Sequence, residues 1–286
     1  MYVVTGATGH LGTLAVGALL DKVPAEQVAV VVRNEAKAAD LAARGVSVRV
    51  ADYDSPEALA GAFRAGERVL FVSGSDAGRR IPQHTAVVAA AEAAGVGLLA
   101  YTGVLGGPKA DFRLADDHKA TEEAILASGL PYSFLRNGWY HENYTQNLAP
   151  VLEHGVVLGS AGEGRIASAS RADYAAAAVA VLTGEGHEGT AYELSGDTAW
   201  SLAEYAAELS RQTGREIRYA SVTAEEHLAV LTGAGVPEPF AAILVDVDTA
   251  GIARGLLAGT SGDLARLVGR PTTPLADAVA AALNPS

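Results

Sequence analysis

The sequence predicts an α/β protein: a doubly wound parallel sheet followed by a smaller C-terminal α/β lobe. Three observations predict it. Residues 1–136 alternate short apolar runs with longer amphipathic ones, the pattern of repeated strand–helix steps. The run Val28-Ala29-Val30-Val31-Val32 is apolar without alternation, as expected of a strand covered on both faces. The first run, Tyr2-Val3-Val4, passes through a turn with three glycines straight into an amphipathic stretch, Leu11–Leu20.

That turn, Gly6-Ala7-Thr8-Gly9-His10-Leu11-Gly12, has the spacing G-x-x-G-x-x-G. Gly6 permits a sharp exit from the strand, Gly9 a close backbone approach to a pyrophosphate, and Gly12 tight packing of helix on sheet. The first N–H groups of the helix have no intrahelical partner and favour an anion. Between a strand and a helix, the glycines predict a dinucleotide site; a tight turn without ligand is the plainer alternative.

Gln27–Val32 is the second strand, and Asn34 caps a helix expected over Glu35–Arg44. The end of the second strand in dinucleotide folds meets the adenosine ribose. An acidic residue there would repel a 2′-phosphate, whereas this chain has Arg33, whose guanidinium suits one. The expectation is NADPH over NADH, with a solvated strand-end arginine as the alternative. Val46–Val50 is the third strand; Asp52 after it either accepts from the adenine amine or forms a turn. Ser55 and Pro56 open a short helix.

Arg68–Val72 is the fourth strand, and the small residues Ser73, Gly74 and Ser75 let the backbone run beside the nicotinamide half. A helix over Pro82–Ala94 leads to a fifth strand, Val96–Tyr101. Thr102 and Gly103 open a glycine-rich loop, 102–114, expected as a flexible lid. A helix over Asp116–Ser128 and a sixth strand, Tyr132–Leu135, complete the series. Ligands in such sheets bind at the carboxyl ends of the strands.

The segment after Leu135, Arg136-Asn137-Gly138-Trp139-Tyr140-His141-Glu142-Asn143-Tyr144, is polar and aromatic. Trp139 and Tyr144 either hold a flat acceptor or anchor the C-terminal part; Asn137 and Tyr140 offer hydrogen bonds. Ser201–Glu204 and Thr223–Glu226 are capping boxes opening helices. Phe240 and Leu244 either reach the acceptor or fill the core of the lobe. Residues 1–136, with segments returning from the C-terminal half, form the expected nucleotide domain, and 137–286 mainly a substrate lobe.

Composition removes several functions. The net charge of −12 offers no footprint for nucleic acid. Cysteine is absent, which excludes disulfides and thiolate chemistry, and the seven histidines are scattered, so no metal is expected. No run has the length of a membrane span, and the first residues read as a core strand instead of a signal peptide; a cytoplasmic protein is expected. None of the ten tyrosines has lysine four residues later. Ordinary carbonyl reduction uses that pair as its acid. The missing pair points to an acceptor that stabilises its own reduced anion, such as a quinone, a cationic dye or a conjugated imine.

Gly6–Gly12, Val32-Arg33-Asn34, Ala51-Asp52-Tyr53, Tyr101-Thr102-Gly103 and Leu135–Tyr140 together resemble the NmrA-like atypical short-chain dehydrogenases. Within them the similarity is to bacterial NADPH:quinone oxidoreductases of the type 2 kind, with triphenylmethane dye reductases as siblings. The resemblance implies a Rossmann domain with a small α/β lobe, NADPH without flavin or metal, and a quinone-like acceptor; a homodimer is compatible with it. It implies that Gly6, Thr8, Gly9, His10 and Leu11 hold the pyrophosphate and Arg33 the 2′-phosphate. Ser73–Ser75 would run along the cofactor, and Asn137, Trp139 and Tyr140 would border nicotinamide and acceptor. Asn137 and Tyr140 are the candidates for meeting the new oxyanion, and Trp139, Tyr144 and Phe240 for binding the acceptor. A non-catalytic NADP(H)-binding redox sensor, or a dye, imine or enone reductase on the same frame, are the alternatives.

Overall fold

The computed structural model describes residues 1–74, 76 and 78–284 of the chain. Two compact units emerge. The first comprises Met1–Val104, Asp117–Asn137 and Arg171–Glu193; the second comprises Leu105–Asp116, Gly138–Ser170 and the chain from Leu194 onward.

The first unit is built on a seven-stranded sheet. Its strands are β1 (Tyr2–Thr5), β2 (Val28–Val32), β3 (Ser47–Val50), β4 (Arg68–Phe71), β5 (Leu98–Val104), β6 (Tyr132–Asn137) and β7 (Thr190–Leu194). Their order is β3-β2-β1-β4-β5-β6-β7, and β1 to β6 pair in parallel. The chain therefore steps outward from β1 in one direction and resumes at β4 in the other. That reversal opens a crevice at the carboxyl ends of β1 and β4. β2 is buried at all five positions, which explains its unbroken apolar sequence.

Helix His10–Leu20 buries Leu11, Gly12, Ala15, Val16 and Leu19 along one stripe and packs on the alanine-rich helix Arg171–Thr183. Arg68 fastens the far end of that second helix, donating to the carbonyls of Leu182 and Gly184 at 2.7 Å each. These carbonyls are the ones a helix leaves without intrahelical donors at its C-terminus.

Some boundaries differ from the sequence expectations. β5 continues through Val104, so Thr102 and Gly103 are strand residues, paired with Leu135 and Arg136 of β6. Glycine marks this place for room: a Cβ at Gly103 would lie 3.2 Å from Glu122 Oε1. The helix expected over Glu35–Arg44 begins as a 3₁₀ turn, Glu35–Ala38, with Asn34 Oδ1 accepting the Ala36 N–H. The expected lid is anchored. Ala110 and Phe112 are buried, Asp246 accepts the Arg113 N–H at 2.7 Å, and Arg254 binds the Asp111 carboxylate at 2.8 Å.

The second unit has two small sheets. Val156–Gly159 pairs in parallel with Arg218–Ser221, and Arg165–Ile166 pairs antiparallel with Trp200–Ser201. Both capping boxes are formed, opening helices Leu202–Thr213 and Ala224–Gly233. Pro237 caps a helix, Glu238–Asp246, which runs on into a π-helical turn, Val247–Ile252. Among the described residues no helix is long and apolar enough to cross a membrane.

Candidate active site

At the end of β1, Gly6 has φ +59°, a conformation that side chains oppose, and its carbonyl accepts the Gly9 N–H at 2.9 Å. Gly9 is the N-cap of the following helix and provides no side chain to cap it; the first turn also lacks an acidic residue. The opening N–H groups of the helix are thus left for an external acceptor. A Cβ on Gly12 would come 2.2 Å from the Gly6 carbonyl oxygen, so close approach of helix to turn requires glycine there. Thr8, Gly9 and His10 are exposed, while Leu11 is buried and offers only its backbone.

Arg33 leaves β2 exposed, with its positive charge near the Tyr53 phenol. Burial outweighs that charge and pushes Tyr53 up to about 12. Asp52 accepts the Asp54 N–H at 3.1 Å, which makes it a turn former whatever else it binds.

Side chains hold the loop after β4 where the ladder ends. Thr5 Oγ1 accepts the Val72 N–H at 3.1 Å, Thr102 Oγ1 the Ser73 N–H at 2.9 Å, and His84 Nε2 the Gly74 N–H at 3.0 Å. Arg80 Nε donates back to the Gly74 carbonyl at 2.8 Å. Ser75 lies outside the described residues. Sequence reading missed Thr5, Arg80 and His84 in this role. A signal existed: Arg80 and His84 are four apart on one face of helix Arg80–Ala94, and both are buried.

A polar relay continues inward. His84 Nδ1 meets Thr121 Oγ1 at 2.9 Å, Arg80 binds Asp117 at 2.9 Å, and Tyr101 OH meets His118 Nδ1 at 2.7 Å. Burial, with Arg80 adding to it, pushes His84 and His118 both down to about 3, so both rings are neutral near pH 7. An N–H can only donate, so Nε2 of His84 is unprotonated and Nδ1 carries the proton. Arg136, four residues after Tyr132 where a Tyr-x-x-x-Lys pair would have its lysine, is committed to Glu122 at 2.7 Å and Glu193 at 2.9 Å.

Asn137 closes β6, buried and in register with Val104. Two residues on, Trp139 enters the second unit, where its carbonyl accepts the Ala169 N–H at 3.1 Å and Tyr140 bridges to Ala169. That unit contains a cavity of about 180 Å³. Trp139, Asn143, Tyr144 and Leu244 line it together with His227 and Asp248. Tyr144 is braced edge-on against Trp200, with ring centroids 5.1 Å apart, and Tyr205 OH donates to its carbonyl at 2.8 Å. Phe240 is 53% exposed and is not among the lining residues, whereas Leu244, one turn further on, is.

The nucleotide-edge geometry has counterparts among known proteins. A family model described as NAD(P)H-binding matches residues 6–185. The chain belongs to this NAD(P)H-binding family. Within the family it is 46% identical to quinone oxidoreductase 2 of Escherichia coli, over 99% of both chains. The crystal structure of the NADPH-dependent quinone oxidoreductase of E. coli complexed with NADPH superposes with a TM-score of 0.96 at 46% identity, covering 99% of this chain and 100% of that one. Triphenylmethane reductase of Citrobacter sp., crystallised with NADP(H), gives a TM-score of 0.94 at 42% identity, covering 99% and 100%. The family's dinucleotide is NAD(P)H, and the described residues contain no group of three or more metal-ligating side chains.

Proposed function

We propose that this chain is an NADPH-dependent oxidoreductase that delivers a hydride directly to a quinone or a similar conjugated acceptor, without flavin, in the cytoplasm. The observation that supports it most is the cavity walled by Trp139 and Tyr144, which follows within a few residues of Asn137 at the sheet's carboxyl edge. The 46% identity to a quinone oxidoreductase and the absence of any Tyr-x-x-x-Lys pair point the same way.

The residues present fit the dinucleotide. The uncapped helix start, with no acidic side chain in its first turn, offers the N–H groups of His10 and Leu11 to a pyrophosphate, and Gly6, Thr8 and Gly9 form the turn beside which it lies. Arg33 meets the 2′-phosphate, and Asp52 the adenine amine. Ser73, Gly74, Thr102, Gly103 and Asn137 border the nicotinamide half. When bound, NADPH supplies the hydride. The protein's own work is to orient the acceptor ring on aromatic faces and to exclude water, with Tyr140, Asn137 or water meeting the new oxyanion. An apolar cavity of about 150 Å³ is enough to take benzene, so the space here suits one ring of an acceptor.

The test is NADPH oxidation followed by absorbance with a small benzoquinone, with a triphenylmethane dye and with no acceptor. Acceptor-dependent oxidation with the quinone is expected. NADPH binding without turnover on any of several acceptors would leave a non-catalytic redox sensor as the better account.

A further inference from the structure

We propose, with the aromatic cavity taken as the acceptor site as above, that Asp248 and His227 are the acid that protonates the reduced acceptor. Both line that cavity, from different elements: His227 from helix Ala224–Gly233 and Asp248 from the π-helical turn Val247–Ile252. They are 7% and 8% exposed.

Their geometry is that of a working pair. Asp248 Oδ2 accepts the Ser160 N–H at 2.8 Å and lies 3.5 Å from His227 Nδ1, which in turn is 2.9 Å from Ser160 Oγ. A Cβ at Gly159 would stand 2.9 Å from Oδ2, so glycine lets the carboxylate reach the backbone there. Oδ2 thus has the Ser160 N–H as its donor, and Asp248 Oδ1 and His227 Nε2 make no hydrogen bond among the described residues. A purely structural buried pair normally has its polar atoms satisfied. Here the ring and the carboxylate each keep one atom in hand at a cavity that Trp139 and Tyr144 also line.

Burial pushes the Asp248 carboxyl up from its ordinary value, against the opposing pull of the Ser160 N–H and His227, and it pushes His227 down. The other titratable groups facing Asp248 are the phenols of Tyr144 and Tyr219, both raised by burial and so neutral. The shared proton therefore belongs to the Asp248–His227 pair. It sits on Oδ1 when the carboxyl is neutral, because Oδ2 already accepts an N–H.

The step balances simply. A quinone that accepts a hydride from the reduced nicotinamide gains two electrons and one proton and is left as a hydroquinone monoanion. An O–H bond forms at its charged oxygen as the Oδ1–H bond of Asp248 breaks, giving neutral hydroquinone and the Asp248 carboxylate. His227 returns a proton to the pair from water. Ser160 is a positioning residue for both partners.

The test compares the full chain with its Asp248→Asn and His227→Gln variants at saturating NADPH. Methylbenzoquinone and chlorobenzoquinone are the acceptors, across neutral pH, in light and heavy water. With methylbenzoquinone, kcat is expected to fall about 10²-fold in Asp248→Asn, with KM for NADPH unchanged, and to recover as pH is lowered. The loss is expected to be smaller with chlorobenzoquinone, whose hydroquinone is the stronger acid, and smaller in His227→Gln with the same pH trend. Should Asp248→Asn fail to fold, His227→Gln alone decides. Variants that keep the unsubstituted kcat and pH profile overturn the proposal, as do equal losses on both quinones with no change in pH dependence or solvent isotope effect. If the unsubstituted chain reduced neither quinone, the proposed function itself would fall, and this step with it.

Discussion

His84 Nε2 accepts the backbone N–H of Gly74 at 3.0 Å, so a fully buried imidazole on helix Arg80–Ala94 holds the loop that leaves β4. No strand could do this, because the sheet ladder ends at Phe71. Replacing the ring by leucine leaves the half-buried Gly74 N–H without its acceptor, which costs about 1 kcal/mol. Denaturant unfolding of His84→Leu is expected to show that loss. If Ser73 and Gly74 line the cofactor, NADPH affinity should fall in the same variant while Arg33-dependent selectivity over NADH survives.

The same ring ties stability to pH. His84 and His118 are held neutral down to about 3, whereas in the unfolded chain they titrate near the ordinary value of 6.5. Between those values the unfolded state binds more protons, so stability is complete above about pH 6.5 and is lost as pH falls toward 3. Each histidine contributes up to about 1.4 kcal/mol per pH unit to that slope. Unfolding free energies measured across this window should depend less steeply on pH in His118→Gln than in the unsubstituted chain. An unchanged slope would show that His118 is charged in the folded state.

Much of the first unit was legible because its signals are local. Gly6 had to take a positive φ, Gly12 had to lack a Cβ, and β2 had to be apolar throughout; each requirement is written in one residue or one run. The end of β5 was misread because glycine at 103 looks like a turn signal, yet it serves space beside Glu122, a partner that no local pattern reveals. The cavity was half legible. Trp139, Tyr144 and Leu244 stand out as apolar or aromatic, but His227 and Asp248 are 21 residues apart and are brought together beside Ser160, far earlier in the chain. Phe240 was attractive by size alone, and its place in the first turn of a surface helix leaves it exposed.

Gly12→Ala tests the nucleotide turn directly. The added Cβ would lie 2.2 Å from the Gly6 oxygen and 2.9 Å from the Ala7 Cα, both backbone, so the helix must move away from the turn. Overpacking of this kind costs about 1–3 kcal/mol or more. A lowered melting temperature together with at least tenfold weaker NADPH binding, about 1.4 kcal/mol, is the expected outcome. Gly17→Ala on the same helix meets nothing within 4 Å and serves as the control, expected to bind normally.

Arg33→Ala is expected to remove about 1.5–3 kcal/mol of NADPH binding, the scale of a hydrogen bond to a charged group, and to leave NADH binding nearly unchanged. The residue is exposed at the end of β2, so folding should be unaffected. Titrating both coenzymes by fluorescence reads the two affinities separately. A preference that survives the substitution would move the 2′-phosphate site elsewhere on the sheet edge.

Arg49 and Glu67 form a buried two-pronged ion pair, 2.8 and 2.6 Å, with the Ala62 carbonyl accepting from Arg49 at 2.7 Å. Burial works to raise Glu67, but the arginine outweighs it and holds the carboxyl below its ordinary value. Removing one partner strands the other charge: Arg49→Met should cost about 3–5 kcal/mol, whereas Arg49→Met with Glu67→Leu should recover most of it. Because the folded carboxyl is the stronger acid, the pair's contribution is present above the ordinary glutamate value and disappears as pH falls below it. Chemical unfolding of the two variants at neutral and acid pH separates these effects. A double variant as unstable as the single one would mean that the pair shapes the packing between β3 and β4 and does more than neutralise itself.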